Sequence, residues 1–76
     1  MAREPRSAHV VAEMVANVLK VSVEVGARIE VGETVVLLES MKMEIPVVTE
    51  DGGVVRRITV SEGQVVQQGD LIAELD

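Results

Sequence analysis

The chain contains no cysteine and no phenylalanine, tyrosine or tryptophan. Without cysteine it can form neither a disulfide framework nor a thiolate metal site, and nothing in the sequence indicates an oxidising compartment. We therefore expect a cytoplasmic protein. The single histidine, His9, has no cysteine or second histidine with which to share a metal ion, so no metal site is predicted.

Basic residues and long apolar runs are also scarce. Seven basic residues against thirteen acidic ones give a formal net charge of −6, and the chain has no aromatic ring on which a base could stack. A nucleic-acid partner is therefore not expected. Residues 1–9 contain no apolar segment of the kind that a signal peptide requires, and no later stretch approaches the roughly 20 residues of a membrane-spanning helix. No membrane partner is expected either.

Valine is abundant, supplying 17 of the 76 residues, and β-branched side chains suit a pleated, half-buried surface better than a helix. Apolar and polar residues alternate over residues 18–25 and again over 54–60, which predicts a half-buried strand in each segment. The runs VVLL and LIAEL predict further short strands. A chain of this length buries only about 60% of its unfolded surface, so the core should be thin.

The sequence also repeats itself. Residues 10–39 can be laid over residues 47–76 without a gap, and the alignment pairs Gly26 with Gly63 and Gly32 with Gly69. Glycine permits the positive φ of tight turns. Each half therefore predicts a turn, a very short strand around one inward apolar residue (Ile29 or Val66), a second turn and a longer strand. The prediction is an all-β domain: a flattened eight-stranded barrel or sandwich of two four-stranded antiparallel sheets, with an internal quasi-two-fold repeat.

The seven residues 40–46, SMKMEIP, join the two halves. A tight turn between strands usually contains Asn-Gly, Asp-Gly or Gly-Gly, because its central residues need positive φ. None of these is present, and a lysine stands between two methionines instead. A lysine at this position indicates that its side chain is needed there, with some backbone strain tolerated for function.

Centred between duplicated β units, Met41, Lys42 and Met43 resemble the Met-Lys-Met motif of the biotinyl/lipoyl attachment domains, and within that family of the biotin carrier branch. The resemblance covers nearly the whole chain from Val10, since the paired glycines match the two half-domains. It is strongest to the small stand-alone biotinylated domains of bacteria. The resemblance implies a short flexible tail at 1–9 and an attachment domain at 10–76, with the attachment turn at 40–46.

The resemblance also implies a function. A biotin protein ligase would join biotin to Lys42 through biotinyl-adenylate, and the bound biotin would carry carboxylate between the active sites of a biotin carboxylase and a carboxyltransferase. The chain would be a carrier or non-catalytic subunit, monomeric when free, and not an enzyme. The residues agree, because lysine amines are protonated at neutral pH and the nearby Glu39 and Glu44 favour the charged form. A separate enzyme must then remove the proton, whereas a catalytic lysine needs a desolvated or cationic setting.

By the same resemblance, ligase recognition falls to the residues around the lysine: Met41, Met43, Glu39, Ser40 and Glu44. Other interpretations remain open for some of them. The methionines offer flexible apolar surface to a partner or cap the end of the barrel core, and Glu39 could be a plain solvated strand end. The second lysine in the chain, Lys20, aligns with Arg57 on an outward face and is interpreted as a solvated charge.

Two further functions are kept beside the carrier. A lipoyl carrier of 2-oxo acid dehydrogenases typically has Asp-Lys-Ala where this chain has Met41, Lys42 and Met43, and an unmodified barrel could act as an interaction module. The chain also departs from many biotin carriers. Val15 and Ala16 replace part of a Pro-Met-Pro-Gly opening, which leaves the first turn in doubt; no thumb-like insertion is present, and the residues before Val10 are too short for a linker to a carboxylase.

Overall fold

A computed structural model of the chain describes residues 8–76, and these residues form eight strands and no helix. No helix of the described part is therefore available to cross a membrane. The all-β prediction is confirmed. The strands are β1 (Ala8–Val11), β2 (Ala16–Val21), β3 (Arg28–Ile29), β4 (Thr34–Ser40), β5 (Met43–Val48), β6 (Gly53–Ile58), β7 (Val65–Val66) and β8 (Leu71–Leu75).

The strands form two four-stranded sheets with the orders β1-β8-β6-β3 and β5-β4-β2-β7, and all neighbouring strands are antiparallel. Each sheet contains two strands from each half of the repeat. Exchanging β1 to β4 with β5 to β8, strand for strand, turns the order of one sheet into that of the other. The predicted quasi-two-fold repeat is thus confirmed. The two halves interlock, because each sheet needs strands from both of them.

Hydrogen bonds at the turns repeat with the same offset of 37 residues as the sequence alignment. The amide of Gly26 donates to the carbonyl of Val55 at 2.7 Å, and the amide of Gly63 donates to the carbonyl of Val18 at 2.8 Å. The four paired glycines have φ between +88° and +93°, a conformation that residues with a Cβ rarely adopt. The alignment of the glycines therefore reflects a shared turn geometry and not merely a shared composition.

The core lies between the two sheets and is built almost entirely from aliphatic side chains. The short strands β3 and β7 each contribute one buried residue, Ile29 and Val66. Alternate residues of a strand point to opposite faces of the sheet. The strands β4 and β8 depart from this alternation where their register shifts, and each buries two consecutive residues there. The largest fully buried side chains are Leu38, Ile72, Leu75, Val18, Val35, Val36, Val55 and Val66.

Some predicted boundaries differ from the structure. β2 ends at Val21 instead of continuing to Val25, whose side chain is 63% exposed at the turn before Gly26. The last residue of β2 that pairs with β4 is Val21, which lies opposite Val36. The alternation of apolar and polar residues continues in the sequence after this pair. The first strand begins at Ala8, inside the predicted 1–9 tail, since Ala8 pairs with Leu75. The rest of the predicted tail, residues 1–7, lies outside the described residues.

The start of β1 and the end of β8 occupy the place in one sheet that the β4–β5 connection occupies in the other. Asp76 donates its backbone amide to the carbonyl of Val54, at the start of β6. Gly53 has φ +156°, and a Cβ at this position would overlap the carbonyl oxygen of Asp76. The aligned residue in the first half is Ala16, which is buried at the start of β2 and has no positive φ. The Ala16 side chain is therefore accommodated in an ordinary strand.

Candidate functional site

The connection between β4 and β5 is much shorter than the predicted segment 40–46. Ser40 is the last residue of β4 and pairs directly with Met43, the first residue of β5. Only Met41 and Lys42 lie between the strands, and Pro46 lies inside β5, an edge strand that tolerates a missing N–H. The prediction of a seven-residue turn is therefore wrong, because the hairpin pairing continues up to the two residues at its tip.

Both tip residues have left-handed backbone conformations. Met41 has φ +54° and Lys42 has φ +66°, and they are the only non-glycine residues of the described chain with positive φ. Two consecutive positive φ values define the type I′ turn that matches the twist of a two-residue hairpin. The geometry is the one that Asn-Gly normally provides, so the turn is built with two residues that disfavour it.

The side chains at the tip project into solvent. Met41 is 91% exposed, Met43 is 63% exposed, and Lys42 is exposed as well. Neither methionine belongs to the buried core or to the half-buried residues packed against it. The interpretation in which the methionines cap the end of the core is therefore wrong. Their thioether groups form apolar surface on either side of the lysine.

The charges next to the turn are not neutralised. Glu39 and Glu44 stand directly opposite each other on β4 and β5, and like charges in this arrangement destabilise a sheet. In the part of the chain that the structure describes, Lys42, Glu39 and Glu44 form no ion pair; the three pairs found lie on the other sheet. The lysine amine is thus accessible, with carboxylates near it but not bound to it.

The other residues considered in the sequence analysis, Ser40, Lys20 and His9, lie outside the two-residue turn. Ser40 is half-buried at the end of β4, and Lys20 is exposed on β2. His9 contacts Glu74 with 3.4 Å between Nε2 and Oε2, and the same carboxylate accepts a hydrogen bond from Arg57. Within residues 8–76 no group of His, Cys, Asp and Glu side chains could hold a metal ion.

Sequence reasoning missed three residues beside the turn. Asn17 pairs with Glu39 on β4 and with Val65 on β7, so Glu39, Asn17 and Val65 form one row across three strands. Val15 lies immediately before β2, two residues from Asn17. The repeat itself could have identified them, because the aligned positions in the other half have different residue types: valine aligned with Asn17 and arginine aligned with Val65.

The site can present a primary amine to a separate enzyme. The amine belongs to an exposed lysine at the tip of a two-residue hairpin, with exposed apolar side chains on both sides of it. These features fit a covalent attachment point, which must enter a catalytic cleft as an extended side chain. They do not fit a catalytic lysine, which requires desolvation or a neighbouring cation.

Comparison with known proteins gives the family. Residues 3–75 match the biotin/lipoyl family, described as "Biotin-requiring enzyme". The chain is 56% identical over 62 residues to the "Biotinylated protein TB7.3 homolog" of Mycobacterium leprae, covering 82% of this chain and 87% of that protein. It is 46% identical over 63 residues to the "Biotin/lipoyl attachment protein" of Bacillus subtilis, covering 83% of this chain and 86% of that protein.

Among solved structures, the urea carboxylase of Kluyveromyces lactis superposes with a TM-score of 0.88 at 28% identity, over 100% of this chain and 7% of that much longer protein. This chain belongs to the biotin/lipoyl attachment domain family. The family resemblance predicted from the sequence is thereby confirmed, and the domain is of the biotin carrier type.

Proposed function

We propose that this protein is a biotin carrier whose Lys42 is acylated by a biotin protein ligase, and that it serves a biotin carboxylase and a carboxyltransferase. The observation that carries the proposal is the exposed lysine at the tip of a strained two-residue hairpin. One relative named as a biotinylated protein, another named as a biotin/lipoyl attachment protein, and the carboxylase that shares the fold support it.

Each part of the tip has a distinct role in this proposal. After the ligase has removed the ammonium proton, the nitrogen of Lys42 would attack the carboxyl carbon of biotinyl-adenylate, so that an amide forms and AMP leaves. The type I′ turn holds that nitrogen away from both sheets. Bound biotin would supply a ureido nitrogen able to carry carboxylate, while the protein contributes position and access. Because the arm is tethered, its effective concentration at a docked partner is raised.

The residues around Lys42 form the surface that the ligase reads in this proposal. Met41 and Met43 place apolar side chains beside the amine, and such side chains adapt well to a partner surface. Glu39 and Glu44 provide a paired negative charge that attracts a basic partner, and Ser40 ends β4 between them and the turn. The unfavourable proximity of the two carboxylates is explained if their function is recognition.

The first test is the intact mass of the protein purified from its own cells, followed by peptide mapping. We expect one biotin on Lys42, none in Lys42→Arg, and an unchanged amount in Lys20→Arg, which is the matched control. Lipoate on Lys42 would assign the protein to the lipoyl branch. An unmodified lysine in cells that contain active ligase and biotin would refute the proposal.

Recognition is tested by ligase kinetics on purified unmodified protein. Replacing either Met41 or Met43 with alanine should lower kcat/KM by about tenfold, which corresponds to about 1.4 kcal/mol of transition-state stabilisation. Met14→Ala is the control, since Met14 is exposed but lies outside the turn. An equal change in kcat/KM for all three alanine variants would show that the ligase does not specifically recognise the methionines beside the lysine.

A further inference from the structure

A shallow cleft of about 370 Å³ lies directly beside the attachment turn. Lys42 itself lines the cleft, together with Val15, Asn17, Glu39 and Val65. Residues directly opposite each other in antiparallel strands share a face of the sheet. The row Glu39, Asn17, Val65 therefore crosses β4, β2 and β7 on one face, one step below the turn.

Polar groups in the cleft have unused hydrogen-bonding capacity. Among residues 8–76, no side-chain hydrogen bond involves Asn17, Glu39 or Ser40. A carboxylate only accepts hydrogen bonds, whereas an amide side chain both donates and accepts them. Glu39 and Asn17 thus place an acceptor beside a donor on neighbouring strands, about 4.8 Å apart.

The walls of the same cleft are apolar. Val15 is 62% exposed and Val65 is 57% exposed. Val65 lies on the outer face of the sheet, because its neighbour Val66 points into the core. Exposed valine methyl groups next to free polar groups are the combination that orients a small ligand with one polar and one apolar side.

The internal repeat shows that the fold itself does not require this chemistry. The row that corresponds to Glu39, Asn17 and Val65 consists of Asp76, Val54 and Arg28. Asp76 is held by Arg56 at 3.3 Å, whereas the residue aligned with Arg56 is Leu19. The acidic residue is therefore paired with an arginine at one end of the molecule, whereas Glu39, at the end that carries Lys42, has no ion pair within residues 8–76.

We propose that this cleft is a resting site for the ureido ring of the biotinyl group on Lys42, an inference that rests on the function proposed above. Glu39 accepts a hydrogen bond from a ureido N–H, and Asn17 donates one to the ureido carbonyl. Val15 and Val65 cover the apolar face of the bicyclic ring. The site gives the attached group a docked position on its own carrier, which it leaves to enter a partner's active site.

The tether makes weak binding sufficient. Glu39 lies three residues before Lys42 and is therefore within roughly 10 Å of the attachment point; Asn17 and Val65 lie one and two strand spacings of about 4.8 Å further across the sheet. The lysine side chain and the valeryl chain of biotin together are long enough to fold back over that distance. A short flexible tether gives a local concentration in the millimolar range, so an intrinsic Kd of about 1 mM would populate the docked and free states equally.

The test compares NMR spectra of the unmodified protein with those of the protein carrying biotin, after the mass has verified one biotin on Lys42. We expect chemical-shift changes at Val15, Asn17 and Val65, including the Asn17 side-chain NH₂, and nuclear Overhauser contacts between biotin protons and the Val65 methyl groups. The corresponding residues Val54 and Arg28 should not respond and serve as internal controls.

Two variants use the residues that the other half of the repeat already carries. In Asn17→Val, loss of one hydrogen bond should lower the ratio of docked to free states by about fivefold. Starting from equal populations, the docked fraction falls from about one half to about one sixth, so the shift change at Val65 should shrink about threefold. Val65→Arg should remove the contacts to biotin while the change at Asn17 becomes smaller. Each substitution introduces the residue type found at the aligned position of the other sheet, Val54 or Arg28, so the fold should be retained.

The outcomes separate this site from the function on which it rests. Biotin present on Lys42, with shift changes confined to residues 41–43, would overturn the resting site and leave the carrier function intact. Shift changes at Val65 that persist unchanged in Asn17→Val would overturn the assigned hydrogen bond. A protein that the ligase cannot biotinylate would overturn both proposals, and the mass alone would reveal this.

Discussion

Replacing the turn residues by Asn-Gly should make the protein more stable while removing the lysine of the proposed attachment site. Met41 and Lys42 both hold left-handed conformations, which cost roughly 1 to 2 kcal/mol for an ordinary residue. Both side chains are exposed, so the double variant Met41→Asn, Lys42→Gly removes no buried contact. The change in the free energy of unfolding therefore reports the backbone conformation almost alone.

The magnitude follows from two opposing effects. Relief of the two left-handed residues contributes roughly 2 to 3 kcal/mol, because asparagine removes only part of the cost at its position. Glycine at position 42 gives back up to about 1 kcal/mol through the greater freedom of the unfolded chain. The expected net gain is about 1 to 2 kcal/mol, or roughly 4 to 15 °C in Tm for a domain of this size.

Urea denaturation at equilibrium, with thermal unfolding beside it, measures this gain. Lys42→Arg is the first control, since it keeps a long cationic side chain and should leave stability unchanged. Gly63→Ala is the second: Gly63 has φ +88° with open space around its Cα, so an added Cβ tests the backbone effect in reverse and should cost about 1 kcal/mol. A double variant no more stable than the parent would show that the turn stores no strain.

Three further predictions concern stability. Gly53→Ala should lower the free energy of unfolding by about 1 to 3 kcal/mol in urea denaturation, because its Cβ meets the carbonyl oxygen of Asp76; an unchanged midpoint would show that β8 can shift aside. Glu44→Gln should raise it by about 0.2 to 1 kcal/mol by removing the repulsion from Glu39, and the gain should shrink in high salt. Val66→Ala should cost about 2 to 3 kcal/mol, since this side chain is fully buried, whereas alanine at the exposed residue before it should change stability by under about 0.5 kcal/mol.

Much of the fold could be predicted from the sequence because its signals are local. β-branched residues with a period of two indicate strands, and glycines at equal spacing indicate turns with positive φ. Ile29 and Val66, each between two glycines, were therefore predicted as inward residues, and both are buried. The same local signals misplaced the end of β2, since the pattern continues to Val25 after the partner strand has ended.

The amino-acid sequence by itself determined the strand content, the duplication and the candidate lysine, because each depends on residue type and spacing along the chain. Only the tertiary structure decided how the two halves share both sheets, since pairing between β1 and β8 or between β2 and β7 joins segments that are distant in sequence. It also decided that the turn consists of Met41 and Lys42 alone, and that Asn17 and Val65 lie beside Glu39. Hydrogen bonding between strands sets these positions, and spacing along one chain does not encode them.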